Sequence, residues 1–331
     1  MFKKITIIGD GAMGSVCAML LCRNGADTTL WGYDKAQLEQ IRLRGQNTRF
    51  LPGYPLPKQL KFQPDDAQAL AGAELLVSAV PCQFMRSVWK RLAPFTPPAV
   101  PAVSVTKGVE NNTLLCPTQI LEEILGPAHP LAVLSGPTIA DELARGLPAT
   151  ATAASYNMEL ACQIQETFST PTFRVYTNDD LLGVELAGAM KNVIAIAAGI
   201  VDGMGAGDNA KAALLSRGLA EIERLGIACG AKEKTFAGLS GLGDLVTTCI
   251  SPKGRNRSFG QRIGEGMTAQ QALDATESVV EGVSTCRSVL ALAQKHNVEM
   301  PITEAVSSVI TGQKTVRQAV SELMSRQLKP E

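Results

Sequence analysis

The chain has 331 residues, of which 45% are hydrophobic, and its 31 basic side chains balance its 31 acidic ones. This length and content predict a soluble globular protein of about two domains, and the zero net charge argues against a nucleic acid or an anionic membrane as the main partner. No run of about 18 apolar residues indicates a membrane span and the first residues lead directly into a strand pattern, so we expect a cytoplasmic protein.

The eight cysteines and two histidines form no pattern of a metal site. The cysteines are scattered, without a CxxC pair or a spacing that suits zinc, so we expect no metal and interpret most of them as small buried hydrophobic residues. His129 precedes a proline and His296 lies near a predicted helix end. If the protein is an enzyme, its acid and base are therefore other residue types.

The N-terminus has the pattern of a nucleotide-binding turn. A strand pattern at 4–8 is followed by Gly9-Asp-Gly11-Ala-Met-Gly14, by a helix pattern to about Asn24 and by a second strand pattern at 28–31. Glycines in this order allow a tight turn and a close approach of a pyrophosphate to the helix N-terminus. We predict a dinucleotide site, although an ordinary glycine-rich turn would look the same locally. The Asp10 carboxylate should repel a pyrophosphate unless it points away.

The residues after the second strand bear on the choice of cofactor. Asp34 lies at the distance where an acid would bond the ribose 2′-hydroxyl of NAD. Basic side chains nearby could instead hold the 2′-phosphate of NADP. These are Lys35, Arg42, Arg44 and Arg49. The pattern leaves NAD and NADP open.

Strand and helix patterns continue to alternate up to about Thr177. We predict further strands at 74–80, 99–105, 131–134, 149–154 and 173–176. This alternation predicts an α/β protein with a Rossmann-type, doubly wound, mainly parallel sheet that binds ligands at the carboxyl ends of its strands. Two short motifs follow such ends and are expected to contact substrate: Thr106-Lys107-Gly108 and Ser135-Gly136-Pro137-Thr138.

After Thr177 the patterns become helical. We predict helices at 179–198, 209–225, 277–295, 301–311 and 315–326, and a loop at the glycine-rich stretch 199–207, because no strand precedes it. The predicted domains are a dinucleotide-binding domain over 1–180 and an all-helical substrate-binding domain over 181–331.

Lys191 is the one charged residue in the helical pattern 186–199. A lysine there must be desolvated, reach a cavity or meet an anion, and each of these can make it a reagent. The small residues Ala187 and Gly188, one turn earlier, leave room for a ligand. The alternative interpretation is a side chain that snorkels to the surface from the edge of a buried helix.

A basic loop, Lys253-Gly254-Arg255-Asn256-Arg257, precedes a short helical pattern at 258–263. Arginine, asparagine and free backbone N–H groups at a helix start form an anion site, in which Arg255 could bind phosphate in a bidentate manner. A solvated basic loop is the alternative. Upstream, Asp244 lies in a glycine-rich apolar stretch, where it could cap a helix or orient a lysine.

Seven motifs in this order resemble the bacterial NAD(P)-dependent glycerol-3-phosphate dehydrogenases over nearly the whole chain. They are Gly9-x-Gly11-x-x-Gly14, Thr106-Lys107-Gly108, Ser135-Gly136-Pro137-Thr138, Lys191-Asn192, Gly241-Leu-Gly243-Asp244-Leu, Arg255-Asn256-Arg257 and Val280-Glu281-Gly282. The resemblance implies interconversion of dihydroxyacetone phosphate and sn-glycerol 3-phosphate with NAD or NADP, supplying glycerophospholipid biosynthesis, and a homodimer.

The resemblance also implies roles for single residues. Lys191 matches the proton donor and acceptor at the substrate oxygen, Lys107 would polarise the same region, and Asp244 would hold the lysine ammonium in place. The implied substrate-binding residues are Lys107, Gly136, Thr138, Lys191, Asp244, Thr248, Gly254, Arg255 and Asn256. The implied cofactor-binding residues are Gly9, Gly11, Ala12, Met13, Gly14, Tyr33, Lys107, Ala140, Arg255, Val279 and Glu281.

The chain departs from the family pattern at four of these positions. Ala12 and Met13 stand where a serine and an aromatic residue are common, which removes a hydroxyl that could contact the pyrophosphate. Tyr33 stands where a basic residue is common, which weakens any preference for a 2′-phosphate. Gly254 replaces a common serine, so that one contact to the substrate phosphate would come from the backbone alone.

Two other functions fit part of the pattern. A β-hydroxyacid dehydrogenase also joins a nucleotide-binding fold to a helical domain and uses a lysine, but it would need an asparagine one turn beyond that lysine, whereas Asn192 is adjacent. A non-catalytic dinucleotide sensor would have no need for Lys191, Asp244 and Arg255 together.

Overall fold

The computed structural model describes residues 1–276 and 279–328. The chain divides into two compact units. The first unit contains Met1–Lys107 and Leu115–Glu185, and the second contains Gly108–Leu114 and the chain from Leu186 onward.

The first unit is built on an eight-stranded sheet. Its strands are β1 (Lys4–Ile8), β2 (Asp27–Trp31), β3 (Lys61–Phe62), β4 (Leu75–Ser78), β5 (Ala102–Ser104), β6 (Leu131–Ser135), β7 (Ala149–Ala154) and β8 (Phe173–Asn178). Their spatial order is β3-β2-β1-β4-β5-β6-β7-β8, and among these described strands only β6 and β7 pair antiparallel. The strand order reverses between β1 and β4, which is where this fold class forms a ligand crevice. The predicted doubly wound, mainly parallel sheet is confirmed.

Helices cover both faces of the sheet. They are α1 (Ala12–Arg23), α2 (Lys35–Arg44), α3 (Asp66–Leu70), α4 (Cys82–Leu92), α5 (Pro117–Leu125), α6 (Ala140–Ala144) and α7 (Met158–Phe168). Strand β4 illustrates the two layers, since Leu75 and Val77 join one core with α1 and α7 while Leu76 joins the other core with α4 and α5. This alternation is the expected period of a strand that is buried on both faces.

Strand bounds follow the predictions most closely where the apolar run has clear ends, as in β1 and β7. The strand predicted at 99–105 begins later, at Ala102, because Ala99 adopts a left-handed φ of 56° and Pro101 has no N–H for the ladder. Strand β3 was not predicted, since it is a two-residue edge strand that pairs only with β2 in the described sheet.

The second unit is helical, as predicted. Its elements are α8 (Leu181–Gly203, whose first turn belongs to the first unit), α9 (Asp208–Ala228), α10 (Glu233–Phe236), a π-helical segment (Leu239–Gly243), α11 (Asp244–Ile250), α12 (Arg255–Gly264), α13 (Ala269–Asp274), α14 (Glu281–His296), α15 (Pro301–Ile310) and α16 (Val316–Met324). The helix expected from residue 277 corresponds to α14. Glu277 itself lies outside the described residues.

The loop predicted at 199–207 is wrong for its first half, because α8 continues to Gly203. A Cβ added at Gly199 or at Gly203 would overlap the backbone of α12. In return, a Cβ added at Gly260 of α12 would overlap Ile196 O of α8. The glycines therefore let two helix backbones touch, and this packing compensates for their low helix propensity.

Helix α8 is long and apolar enough to cross a membrane by length and composition. However, 94% of its most apolar window is buried inside the protein. Its apolar composition is therefore that of a buried core helix.

Candidate functional site

The glycine turn between β1 and α1 has the geometry of a nucleotide-binding turn. Gly9 adopts a φ of 116°, and a Cβ there would lie 2.8 Å from Ala79 O. A Cβ at Gly14 would overlap Gly9 O, so that α1 can pack tightly on the turn. The first and third glycines are therefore required by close backbone packing.

The second glycine faces open space. Gly11 is the N-cap of α1, no side chain caps this helix start, and nothing lies within 4 Å of a Cβ added at Gly11. Ala12 and Met13 form the first two positions of the helix, and Met13 packs partly against the core. The uncapped N–H groups and the open face fit the pyrophosphate of a dinucleotide.

Asn47, which the sequence analysis missed, holds this turn from the side. Its amide is fully buried and donates 2.8 Å hydrogen bonds to Asp10 O and to Ser15 Oγ. Its own oxygen accepts from Phe50 N at 3.1 Å. Asn47 and Asp10 are 37 residues apart in the sequence. Nothing in the local sequence therefore indicates that this asparagine is buried against the turn.

The region after β2 carries the residues that were considered for ribose recognition. Asp34 caps α2, because its Oδ1 accepts from Ala36 N at 2.9 Å and from Gln37 N at 3.2 Å. Tyr33 is 65% exposed, and Arg91 Cζ lies 5.5 Å from its ring centroid. Arg42 and Arg44 bond Glu39 and Thr48, respectively.

A second group of predicted residues meets at the carboxyl ends of β5 and β6. Lys107 Nζ donates to Gly136 O at 2.9 Å, and Thr138 Oγ1 donates to the same carbonyl oxygen at 3.1 Å. Gly136 has a φ of 138°, and a Cβ there would lie 3.0 Å from Ala151 Cα. Ala140 follows as the first residue of α6. The structure thus brings Lys107, Gly136 and Thr138 together.

In the second unit, Lys191 lies in the buried middle of α8. Its side chain is 8% exposed, and Nζ lies 2.9 Å from Asp244 Oδ1, whose side chain is 2% exposed. Nζ also contacts Thr248 Oγ1, which in turn lies 3.3 Å from Asp244 Oδ1. This burial excludes the snorkelling interpretation and makes Lys191 part of a buried, hydrogen-bonded charge pair.

The helix geometry explains how Asp244 and Thr248 reach one lysine. They stand four residues apart on α11, so that both side chains point to the same face. The π-helical segment before α11 is packed tightly, since a Cβ at Gly241 would overlap Phe236 O. Single π turns of this kind occur frequently at functional sites.

An amide network joins three helices beside Lys191. Asn256 Nδ2 on α12 donates to Asn192 Oδ1 on α8 at 3.0 Å, and Asn256 Oδ1 accepts from Gly282 N of α14 at 2.9 Å. Asn192 is 4% exposed, and its Nδ2 has no hydrogen-bond partner in the described part of the chain. A buried unpaired amide is costly, so Asn192 is a candidate ligand contact that the sequence analysis did not assign.

The predicted phosphate loop lies at the start of α12. Gly254 is the N-cap, Arg255 is exposed, and its Nη1 donates to Val279 O at 3.3 Å. Glu281 begins α14 two residues after Val279. The predicted residues Arg255 and Val279 are therefore in contact, at a helix start without a side-chain cap.

Comparison with known families gives two matches that together cover most of the chain. The model described as "NAD-dependent glycerol-3-phosphate dehydrogenase N-terminus" matches residues 4–161, and the corresponding C-terminus model matches residues 180–321. A "Glycerol-3-phosphate dehydrogenase [NAD(P)+]" of Geobacter sulfurreducens is 46% identical over 100% of this chain and 99% of its own length. A protein of the same name from Fusobacterium nucleatum is 44% identical over 99% of this chain and 98% of its own.

Solved structures give the same result. A glycerol-3-phosphate dehydrogenase from Coxiella burnetii has a TM-score of 0.94 and 39% identity, with 98% of this chain and 99% of that chain covered. A ketopantoate reductase from Ralstonia eutropha, at 16% identity and a TM-score of 0.59, shares the fold alone.

Proposed function

The chain belongs to the NAD-dependent glycerol-3-phosphate dehydrogenase family, and from this membership we propose that it interconverts dihydroxyacetone phosphate and sn-glycerol 3-phosphate with NAD(P)H. The observation that carries the proposal is the buried pair of Lys191 and Asp244, placed beside the unpaired amide of Asn192. A buried ammonium with a fixed partner is a suitable acid and base for a carbonyl oxygen.

Lys191 gives a proton to the substrate C2 oxygen during reduction and takes it back during oxidation. Asp244 and Thr248 accept hydrogen bonds from its ammonium and so direct the remaining N–H towards the substrate. Neither histidine takes part: His129 is held to Val100 O at 2.9 Å, and His296 ends α14.

The second unit also holds the substrate phosphate. Arg255, the start of α12 and the carboxamide of Asn256 supply positive charge and N–H donors to an anion. Because Asn256 bonds Asn192 next to Lys191, phosphate binding and the orientation of the reacting carbon are linked through one network. Phosphate binding energy then supports turnover as well as affinity.

The first unit binds the dinucleotide at the glycine turn. The bound dinucleotide would supply or accept the hydride. Gly11 and the first N–H groups of α1 take the pyrophosphate. Lys107, held at Gly136 O, adds a positive charge at the carboxyl ends of β5 and β6. We further propose a cytoplasmic homodimer that supplies glycerophospholipid biosynthesis.

The direct test is an assay of nicotinamide oxidation with three substrates: dihydroxyacetone phosphate, dihydroxyacetone and a short β-keto acid. The proposal expects turnover with the phosphorylated ketone and a much lower kcat/KM without the phosphate. Turnover with the β-keto acid alone would identify a β-hydroxyacid dehydrogenase. Tight NADH binding with no turnover on any substrate would identify a dinucleotide sensor.

A further inference from the structure

Asp10 stands inside the glycine turn, and its carboxyl lies at the carboxyl end of β2. Its Oδ2 atom is buried and has no hydrogen-bond partner within the described residues. A Cβ added at Gly32, directly after β2, would lie only 2.8 Å from this oxygen. The carboxyl also accepts a hydrogen bond from its own backbone N–H. Its position is therefore fixed by the turn and by the close approach of Gly32.

The surroundings leave this carboxyl charged near neutral pH. Burial raises the pKa of Asp10 to about 6, its own backbone hydrogen bond acts against this, Asp34 raises the pKa further and Arg49 lowers it. Above this pKa the end of β2 carries two carboxylates, Asp10 and Asp34. Arg49 is the cation that acts on Asp10, and its Cζ lies 4.9 Å from the Phe50 ring centroid.

The end of β2 is where the two nicotinamide cofactors differ. In this fold class the adenosine ribose lies there, with a free 2′-hydroxyl in NADH and a 2′-phosphate in NADPH. Asp34 already uses one oxygen to cap α2, Arg42 is bonded to Glu39 and Arg44 is bonded to Thr48. A 2′-phosphate would therefore lie near the Asp10 carboxylate in addition to that of Asp34, and few basic side chains there are not already hydrogen-bonded.

We propose that Asp10 is a specificity residue that makes this chain select NADH over NADPH, because its carboxylate repels a ribose 2′-phosphate. The inference rests on the proposed function in one respect, namely that the turn binds a dinucleotide. Selection of this kind uses a repulsive element against the wrong ligand, and it leaves the hydroxyl-bearing ligand nearly unaffected.

The test compares the wild type with Asp10→Asn, which keeps the size of the side chain and its backbone hydrogen bond but removes the charge. NADH and NADPH are titrated separately by nicotinamide fluorescence, without substrate. We expect the wild type to prefer NADH by at least about tenfold, and Asp10→Asn to reduce the preference by about tenfold, mainly through tighter NADPH binding. Asp27→Asn is the matched control, since Asp27 lies at the opposite end of β2, paired with Lys61 at 2.7 Å.

A ratio of the two dissociation constants that stays within about twofold of wild type in Asp10→Asn would overturn the inference. Raising the ionic strength from about 20 to 500 mM should also weaken the wild-type preference, because repulsion between charges is screened. That measurement uses the wild type alone, so the inference stays testable even if Asp10→Asn does not fold. A preference for NADH that does not change with salt would contradict the inference. A wild type that binds neither cofactor would instead refute the proposed function.

Discussion

The glycine turn of the first unit and the lysine site of the second unit are built in different ways. The turn uses backbone atoms from one short stretch, Gly9 to Gly14, between a strand and a helix. The lysine site uses side chains from distant helices: Lys191 and Thr248 are 57 residues apart, and Asn192 and Asn256 are 64 apart. The first is a local structure, whereas the second exists only when α8, α11, α12 and α14 are packed.

Binding and stability are separable in the turn, whereas turnover and stability are coupled in the lysine site. In the turn, an open glycine can be altered without disturbing the core, because nothing packs against it. In the lysine site, the glycines that hold α8 against α12 also hold Lys191 and Asn256 in register. We expect changes at the first site to affect binding, and changes at the second to affect stability and turnover together.

The largest effect is expected from Lys191→Met, which keeps the bulk of the side chain and removes the transferable proton. Loss of a positioned acid and base lowers kcat about 10²–10⁴-fold. The dissociation constant of NADH should change little, because the cofactor contacts proposed for the turn are backbone atoms of the first unit. Stopped-flow reduction of dihydroxyacetone phosphate and a fluorescence titration of NADH separate the two quantities.

This variant removes the Lys191 ammonium from beside the buried Asp244 carboxylate, and breaking a buried ion pair is itself destabilising. The double variant Lys191→Met with Asp244→Asn removes both charges and should recover stability but not turnover. Near-normal turnover in either protein would contradict the role of Lys191.

The same contrast explains what the sequence could predict. The turn, the alternation of strands and helices and the change to an all-helical part were predicted because their signals are local: glycine spacing, apolar runs and helical periodicity. Lys191 was predicted as a reagent because a charge in an apolar helix stands out. These features need no knowledge of which helix lies beside which.

The remaining features depend on tertiary contacts. Gly199 and Gly203 looked like a loop, and only the backbone of α12 shows why a helix tolerates them. The unpaired amide of Asn192 and the burial of Asn47 likewise follow from partners far along the chain. No local pattern distinguishes such residues from ordinary polar positions.

A pair of glycine substitutions tests the coupling directly. Gly260→Ala places a methyl group against Ile196 O, and we expect it to lower the free energy of unfolding by about 3 kcal/mol. Gly11→Ala meets open space at an ordinary φ of −71°, so its stability should stay within about 0.5 kcal/mol of wild type while NADH binding weakens. Urea unfolding and NADH titration of both variants measure the two effects. A destabilised Gly11→Ala protein, or a Gly260→Ala protein of wild-type stability, would contradict the comparison.

The first unit contains a titrating group in its own core, Glu185, which accepts from Thr118 N at 2.8 Å and lies 2.5 Å from Thr118 Oγ1. Burial raises the pKa of Glu185 from 4.5 to about 7. Between these values the unfolded chain is ionised at this position while the folded chain holds a proton, so rising pH favours unfolding. The stabilising contribution of the protonated Glu185 is complete below about pH 4 and is lost as the pH rises through 7.

Glu185→Gln carries an amide N–H₂ in place of the acid proton and should therefore resemble the protonated form. We expect the difference between wild type and variant to change by about 3 kcal/mol between pH 4 and pH 8, with the wild type losing stability. Glu122→Gln, at an exposed carboxyl of α5, is the matched control and should show no such change. Parallel pH profiles for wild type and Glu185→Gln would show that this carboxyl is not protonated in the folded protein.

The smallest effect is expected from Thr248→Val, a nearly isosteric change in the lysine site. It removes the hydroxyl that contacts both Lys191 and Asp244 but leaves the ion pair in place. Because Thr248 is proposed to orient the ammonium and not to transfer the proton, kcat should fall about tenfold, equivalent to roughly 1.4 kcal/mol. Thr248→Ser, which restores the hydroxyl, should recover most of the loss. Near-normal turnover in Thr248→Val, or a Ser variant that is as slow as the Val variant, would contradict the proposal that the hydroxyl orients the ammonium.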